Sequence, residues 1–402
     1  MRILLYIMIR FIHLSDTHID YKPQLEYIKN DDEIFQERIK GIKDAIEYAK
    51  NNNIKLIVHS GDVFNVPSPK LNFIYELEKI LASAENYGIE FLIISGNHDQ
   101  SKIKSSFNSL KMFDLVRNVH VFNEDGFYTV GDYEFMLIPA KYDWSKLKET
   151  FPVSLNKLIS QSKSNKRILV THIPISSANE SFTFDVETLS EGTIDSDTIP
   201  DIFLYVALGH YHSMQQINNR RMYYAGSTSQ LSFNEEFEKK YFLDIIIDDS
   251  SKTTVNPIEI KPNYPLHTVK INASYVTNNQ DFNMLLRHEL ELNNKKYSLK
   301  NKIIRVIISN LTASVRLNLD REKLINSIKL YDPFGIKIII EREKEVFNDS
   351  EDEDTYKLIG SPRDEVIDYL NKRNKRNPIL DETNEEIFKK TEDKLKGDDI
   401  DY

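Results

Sequence analysis

The stretch Ile54–Pro69, IKLIVHSGDVFNVPSP, decides how the chain is read. An apolar run, Leu56 to Val58, stops on a glycine and a bare carboxylate, Gly61 and Asp62. A core does not require a carboxylate at the end of a buried strand, and an unpaired charge there is costly. In open α/β sheets, however, ligands bind in the crevice at the carboxyl ends of strands. Asp62 therefore points to a site.

The same grammar recurs along the chain. Strand candidates are Ile9–Leu14, Lys55–Val58, Glu90–Ile94, Tyr133–Pro139, Arg167–Thr171, Leu204–Leu208, Arg221–Tyr224 and Tyr241–Ile247. Between the early ones, residues 33–52 and 71–88 place apolar side chains at helical spacing, and Gly88 is a candidate C-cap. The alternation predicts an α/β layered domain over residues 1–250. From Pro262 the order changes. LHTVKI, KIIRVIIS and GIKIIIE read as strands separated by two helices, which predicts a smaller α+β domain over 260–345. The run NDSEDED (348–354) reads as a solvated linker, and two helical segments follow within 346–402.

Composition narrows the chemistry. With 402 residues the chain can form two or three domains of about 150 residues. It has no cysteine, which excludes disulfides, thiolate metal sites and cysteine nucleophiles. Any metal must be held by His, Asp, Glu or Asn, a set that suits Mn, Zn or Fe. The net charge of -10 argues mildly against nucleic acid, although charge can be segregated between domains. The apolar N-terminus reaches Asp16 too soon for a membrane span, so a cytoplasmic, nucleoid-associated protein is expected. Met8 competes with Met1 as the start.

Polar residues gather where five strands end. HLSDTHID, SGDVFN, SGNHDQ, THIPIS and LGHYHS deliver Asp16, His18, Asp62, Asn97, His98, His172, His210 and His212. Aligned on one edge, they can hold two metal ions about 3.5 to 4 Å apart. Asp16, His18 and His212 serve one ion, Asn97, His172 and His210 serve the other, and Asp62 bridges. The i, i+2 spacing of DTH and HYH suits loops, or strand ends where alternate side chains share a face. Asn97 contributes a neutral oxygen, which leaves the ions strongly Lewis acidic. His98, expected to be held by Asp99, is placed to donate a proton to a leaving oxygen. This set suits phosphoester hydrolysis, in which a metal-bridging hydroxide attacks phosphorus in line.

In this order, DTH, GD, GNHD, TH and GHYH resemble the motifs of the calcineurin-like metallophosphoesterases. That family implies two mixed β-sheets sandwiched together and flanked by helices. HLSDTHI, SGDVFNVPSP, YVALGHYH and YYAGSTSQLSFNE are most similar to one branch, the nuclease subunit of the double-strand-break repair complex. This is the meiotic-recombination-eleven or SbcD type, here in archaeal form. The resemblance is strong over residues 9–236. It places the branch's ligands on Asp16, His18, Asp62, Asn97, His172, His210 and His212, and its catalytic histidine on His98. It implies two Mn(2+) ions and exonuclease and endonuclease action on DNA ends. It also implies a DNA-contacting capping domain, C-terminal helices docked on a coiled-coil ABC-type ATPase (Rad-fifty or SbcC type), and a homodimer through helices near 70–116.

The chain departs from the pattern at two places. GDVFNVP has no arginine where the family's protein phosphatases read GDxxDRG. Asn65 stands where the branch often has a histidine, and an amide cannot carry that proton. His98 is then expected to be the only proton-capable side chain outside the metal shell. Weak exonuclease relative to endonuclease action follows, and Asn65→His tests it. Ala225 replaces the usual proline of YPGS, a change expected at a turn.

Other residues have ordinary readings. His13 and His59 lie in or beside apolar runs and read as core histidines. His120, His267 and His288 read as surface or structural. Arg220, Arg221, the 163–167 run KSNKR and the 371–376 run NKRNKR are solvated, or contact phosphates or partners. Two functions compete with the nuclease: a phosphoesterase on small nucleotides or phosphoproteins, and a non-enzymatic scaffold ordered by metal.

Overall fold

The computed structural model describes residues 8–101, 108–141, 144–178 and 192–341. The proposed start at Met1, the acidic linker, NKRNKR and the C-terminal helices lie outside the described residues, as does part of the 101–116 segment. In chain order the first elements are β1 (Ile9–Leu14), β2 (Tyr27–Ile28), α1 (Asp31–Asn51), β3 (Leu56–His59), α2 (Leu71–Ser83), β4 (Glu90–Ile94) and β5 (Val119–Phe122). Next come β6 (Gly126–Val130), β7 (Tyr133–Ile138), α3 (Leu147–Gln161), β8 (Lys166–His172), β9 (Phe203–Gly209), β10 (Gln215–Gln216) and β11 (Met222–Tyr224). The chain then forms β12 (Lys240–Ile247), β13 (Thr253–Ile260), β14 (Leu266–Asn272), α4 (Asn279–Tyr297), β15 (Ile303–Ser309), α5 (Ala313–Leu317), α6 (Arg321–Lys329) and β16 (Gly335–Ile340).

Two six-stranded mixed sheets, ordered β13-β12-β1-β3-β4-β5 and β10-β11-β9-β8-β7-β6, form the larger part. Their facing sides share one core, in which Phe11, Val58, Leu92 and Ile94 meet Phe135, Leu137, Val170 and Tyr205. Phe11 and Phe135 pack edge to face at 5.5 Å between ring centroids. The outer side of the first sheet carries Ile12, Ile57 and Phe91 against Ile42, Ile46 and Leu77 of α1 and α2. The outer side of the second carries Met136, Leu169 and Val206 against Phe151, Leu155 and Leu158 of α3. Each central strand is therefore covered on both faces. This is why most of these strands carry apolar runs, such as Leu56–Val58 and Phe91–Ile94, and not an alternation. The arrangement is the sandwich expected from sequence.

A third sheet, β14-β15-β16-β2, has its three long strands parallel. Helices α4 and α6 pack on one face of it, with Phe282, Leu286, Leu324 and Ile328 against Val269, Val306 and Ile338. Its edge strand β2 comes from far upstream, pairing Ile28 with Gly335 and Tyr27 with Ile336. The 260–345 expectation omitted this strand. Also missed were β5, β6, β13 and α3. β13 is an edge strand with half-exposed residues and Pro257, which hides its pattern. Pro152 inside α3 reads as a helix breaker.

Gly88 follows α2 and a 3-10 turn (Ala84–Tyr87) with φ 63°. A Cβ built there meets only Lys55 Nζ at 3.9 Å, so space is free and the conformation is the constraint. Gly88→Ala is therefore expected to cost about 1 kcal/mol of stability. A urea unfolding midpoint unchanged from the native chain counts against this.

Candidate metal centre

The strand ends are stitched together by backbone bonds. Asp16 N–H donates to Gly61 O (3.0 Å), His18 N–H to Asp62 O (3.1 Å) and Ile19 N–H to Val63 O (3.0 Å). Ala140 N–H donates to Ser95 O (3.0 Å), and Ser15 bridges to Ser227, which brings the ends of both sheets together. Asp16, His18, Asp62 and His210 have φ of 50°, 44°, 56° and 112°. Such angles are uncommon for residues with a Cβ and cluster at functional sites. Gly61 has φ 101°, and a Cβ there would lie 2.5 Å from His172 Nδ1. A Cβ on Gly96 would lie 2.0 Å from Asp62 Oδ1. Glycine at these two positions lets the loops close around the site.

Asp62 stands between two groups of donors. Its Oδ2 lies 3.6 Å from His18 Nε2 and 3.4 Å from His172 Nε2. On one side, donor atoms of Asp16, His18 and His212 lie within 4.8 Å of one another. On the other, Asn97 Oδ1 lies 2.9 Å from His172 Nε2 and 3.3 Å from His210 Nδ1. Asp16, Asp62 and His172 also group within 4.8 Å, as do His18, Asp62 and His98. Both ring nitrogens of His18, and Nε2 of His210, are buried without a hydrogen-bond partner. Buried polar atoms are nearly always paired. These nitrogens, beside carboxylates and an amide oxygen, fit divalent cations.

The electrostatics of His18 and His210 agree with that fit. Burial pushes His18 well below the usual imidazole range, Asp62 opposes, and neighbouring imidazoles add to the fall. His210 is pushed the same way by burial and His172. Both rings are thus neutral, the form that ligates metal. Burial also disfavours charge on His172, but Asp62 outweighs it and lifts the imidazole to about 9. Burial raises Asp62, yet His172 and His98 hold the carboxyl well below the usual range.

Asp99 does not hold His98. Its carboxylate accepts N–H bonds from Phe64 (2.9 Å), Gly96 (2.9 Å) and Val63 (3.2 Å), tying the GDVF loop to the GNHD loop. Burial and Asp62 raise its carboxyl to about 7 against those bonds. His98 Nδ1 lies 3.0 Å from the backbone carbonyl of Asn65, and His98 N–H donates to Asp62 Oδ1 (2.9 Å). The amide N–H of Asn65 donates to Asp20 Oδ1. His98 is thus not the only proton-capable group outside the ligand set, since the Asp20 carboxylate stands one residue's backbone away. Burial raises its carboxyl, opposed by backbone N–H bonds from Asn65 and Val66. Asp20 was visible in DTHID but passed over. Because Asn65 holds His98 through its carbonyl, Asn65→Ala is expected to leave turnover near the native value. Asp20→Ala, which frees residue 65, is expected to lower it roughly 10-fold through misplacement of His98. Equal kcat values for the two variants on bis-p-nitrophenyl phosphate contradict this.

Three more residues escaped the sequence reading. Glu235 Oε1 lies 3.3 Å from His212 Nδ1, Lys240 Nζ donates to His212 O (3.0 Å), and Trp144 stacks on His210 with centroids 5.2 Å apart. No spacing rule links them to their histidines. The ordinary readings of His13 and His59 agree with their surroundings. His13 lies between Tyr205 Oη (2.8 Å) and Ser60 Oγ (2.9 Å), and His59 pairs with Thr17 Oγ1 (2.8 Å). Burial lowers both to about 3. Arg220 is partly buried and donates to the carbonyls of Ser196 (2.7 Å) and Ile199. Arg221 pairs with Asp201 at 3.2 Å.

Comparison with known proteins adds an independent line. The sequence profile described as calcineurin-like phosphoesterase matches residues 9–214. A DNA double-strand break repair protein Mre11 of Saccharolobus solfataricus is 27% identical over 302 residues, covering 72% of this chain and 73% of that protein. The Mre11 of Thermoplasma acidophilum is 30% identical over 233 residues, covering 56% and 57%. A component of the SbcCD nuclease of Staphylococcus epidermidis is 24% identical over 314 residues, covering 74% and 79%.

Proposed function

The chain belongs to the calcineurin-like phosphoesterase family, and from that membership we propose that it is a two-metal, Mn-dependent DNA nuclease of double-strand break repair. One observation carries the reading: the Asp62 carboxylate stands 3.6 Å and 3.4 Å from histidines of two separate donor groups. Asp16, His18 and His212 would hold one ion, Asn97, His172 and His210 the other, with Asp62 shared between them. Bound divalent ions supply Lewis acidity to a phosphodiester and make an attacking water nucleophilic. The chain's own part is to orient and to move protons. A hydrogen bond from Nδ1–H to the Asn65 carbonyl sets the His98 tautomer and turns Nε2 towards the reacting phosphate. Protonated there, His98 donates to the leaving oxygen. Asp99 keeps the two loops carrying Asp62 and His98 in register.

DNA ends are the proposed substrate, cleaved by exonuclease and endonuclease action, with the 260–345 region as the DNA-contacting cap. Homodimerisation through the 70–116 helices is supported by Leu71 (75% exposed) and Leu115 (89% exposed), which stand outside the core that holds Ile74, Leu77 and Phe113. A coiled-coil ABC-type ATPase (Rad-fifty or SbcC type) is the proposed partner, in the cytoplasm at the nucleoid. Among the described residues no helix is long and apolar enough to cross a membrane.

The deciding experiment incubates the chain with MnCl2 and labelled linear or hairpin duplex DNA, with and without the ATPase, beside bis-p-nitrophenyl phosphate and cyclic nucleotides. DNA cleavage supports the nuclease. Turnover of small substrates with intact DNA favours the small-molecule phosphoesterase. Tight metal binding with no turnover favours the scaffold.

A further inference from the structure

The turn between β11 and β12 presents two neighbouring carboxylates in different directions, one to the metal centre and one to the third sheet. Glu235 is 1% exposed. Besides facing His212 Nδ1 at 3.3 Å, it lies 2.7 Å from Lys240 Nζ and accepts the Leu231 N–H (3.2 Å). Lys240 in turn donates to the His212 carbonyl, so this pair grips His212 by ring and by backbone. Glu236, the next residue, faces the third sheet. It accepts the Thr268 N–H (2.8 Å) and the Thr268 hydroxyl, both at β14.

Gln230 repeats the pattern. Its Nε2 donates to the carbonyls of Glu235 (2.9 Å) and Glu236 (3.1 Å), while its Oε1 accepts the Leu266 N–H (3.1 Å) of the same strand. The Arg305 guanidinium of β15 sits 4.6 Å from the ring centroid of Phe233. The turn is thus fastened to the third sheet at Leu266, Thr268 and Arg305, and to the metal centre at His212.

We propose that the Ser227–Glu238 turn couples the position of the cap sheet to the hold of His212 on its metal, with Glu235 as a positioning residue for His212 and Glu236 as the link to the cap. The proposal rests on the metal-centre reading above and adds a regulation of that site. Glu235 and Glu236 are joined by one peptide bond. Any movement of β14 must therefore break the bonds at Glu236 or drag Glu235 with it. The Glu235 contact to His212, at 3.3 Å, is already at the long end of a hydrogen bond, so a small drag weakens it. A ligating histidine is oriented by the partner of its other ring nitrogen. Coupling is reciprocal. A cation held by His212 Nε2 keeps the proton on Nδ1, strengthens the bond to Glu235, and so steadies the turn against the cap.

The test uses the full chain and MnCl2 without DNA. Calorimetric titration of the unaltered chain is expected to show two bound ions. Glu235→Gln is expected to weaken one of them roughly 10- to 100-fold and spare the other, a split that general loss of structure does not produce. Glu236→Ala and Thr268→Val touch no ligand, yet each is expected to weaken the same ion about 5-fold or more. Hydrogen exchange supplies the reciprocal reading: Mn is expected to slow the Thr268 amide in the unaltered chain and not in Glu235→Gln. Unchanged affinities in Glu236→Ala and Thr268→Val overturn the coupling, even if Glu235→Gln fails to fold. Unchanged affinities in a folded Glu235→Gln overturn the positioning role. No Mn binding by the unaltered chain overturns the metal-centre reading itself, and the proposal with it.

Discussion

Asp62→Asn is expected to lower metal-dependent phosphodiester cleavage about 1000-fold or more, equivalent to roughly 4 kcal/mol of transition-state stabilisation. The substitution keeps the shape of the side chain and an oxygen to accept the His98 N–H, which Asp62 Oδ1 now accepts at 2.9 Å. It removes the negative charge and places an N–H2 group where Oδ2 stands between His18 and His172. An N–H2 group cannot ligate a cation where Oδ2 could, so both donor groups lose their shared member at once. Cleavage of bis-p-nitrophenyl phosphate, metal binding by calorimetry and circular dichroism are measured together. A folded variant that retains cleavage within about 10-fold of native removes Asp62 from the bridging role.

His98→Ala is expected to reduce kcat by roughly 100- to 10 000-fold, the usual contribution of a positioned general acid. Metal affinity is expected to change little, because the His98 bond to Asp62 comes from the backbone N–H, which alanine retains. The comparison discriminates two roles. His98 also lies in a group with His18 and Asp62 whose donor atoms fall within 4.8 Å. If the variant loses metal in proportion to activity, His98 is a ligand and the proton-donor role is wrong. If kcat falls less than about 10-fold with metal retained, it is neither.

The legible strands were those rich in apolar residues, including β14, β15 and β16, which carry helices on one face only. β1, β4 and β12 read almost to the residue because apolar side chains dominate them, with the few polar members paired, as Arg10 is with Asp244. β13 and β2 were missed because edge strands carry mixed residues, and no local pattern announces that Tyr27 and Ile28 pair with β16. Within the candidate site, Asp16, His18, Asp62, Asn97, His172, His210 and His212 were legible since each follows a strand. The geometry brings these side chains to one place. Contacts were less legible. Asp99 follows His98 in sequence, yet its carboxylate turns towards Val63, Phe64 and Gly96. The His98 ring instead meets a backbone carbonyl at residue 65, where the side chain had drawn attention.

By itself the sequence determined which residues can carry the chemistry, the absence of thiol ligands, and the strand ends at which the polar groups emerge. These are properties of residue type and local pattern. Only the tertiary structure decided which polar groups meet. It set Glu235 against His212, Asp20 against the residue-65 amide, and Glu236 against Thr268 of β14. The physical reason is that a buried polar atom must find a partner within about 3 Å in space, and separation along the chain does not record that distance.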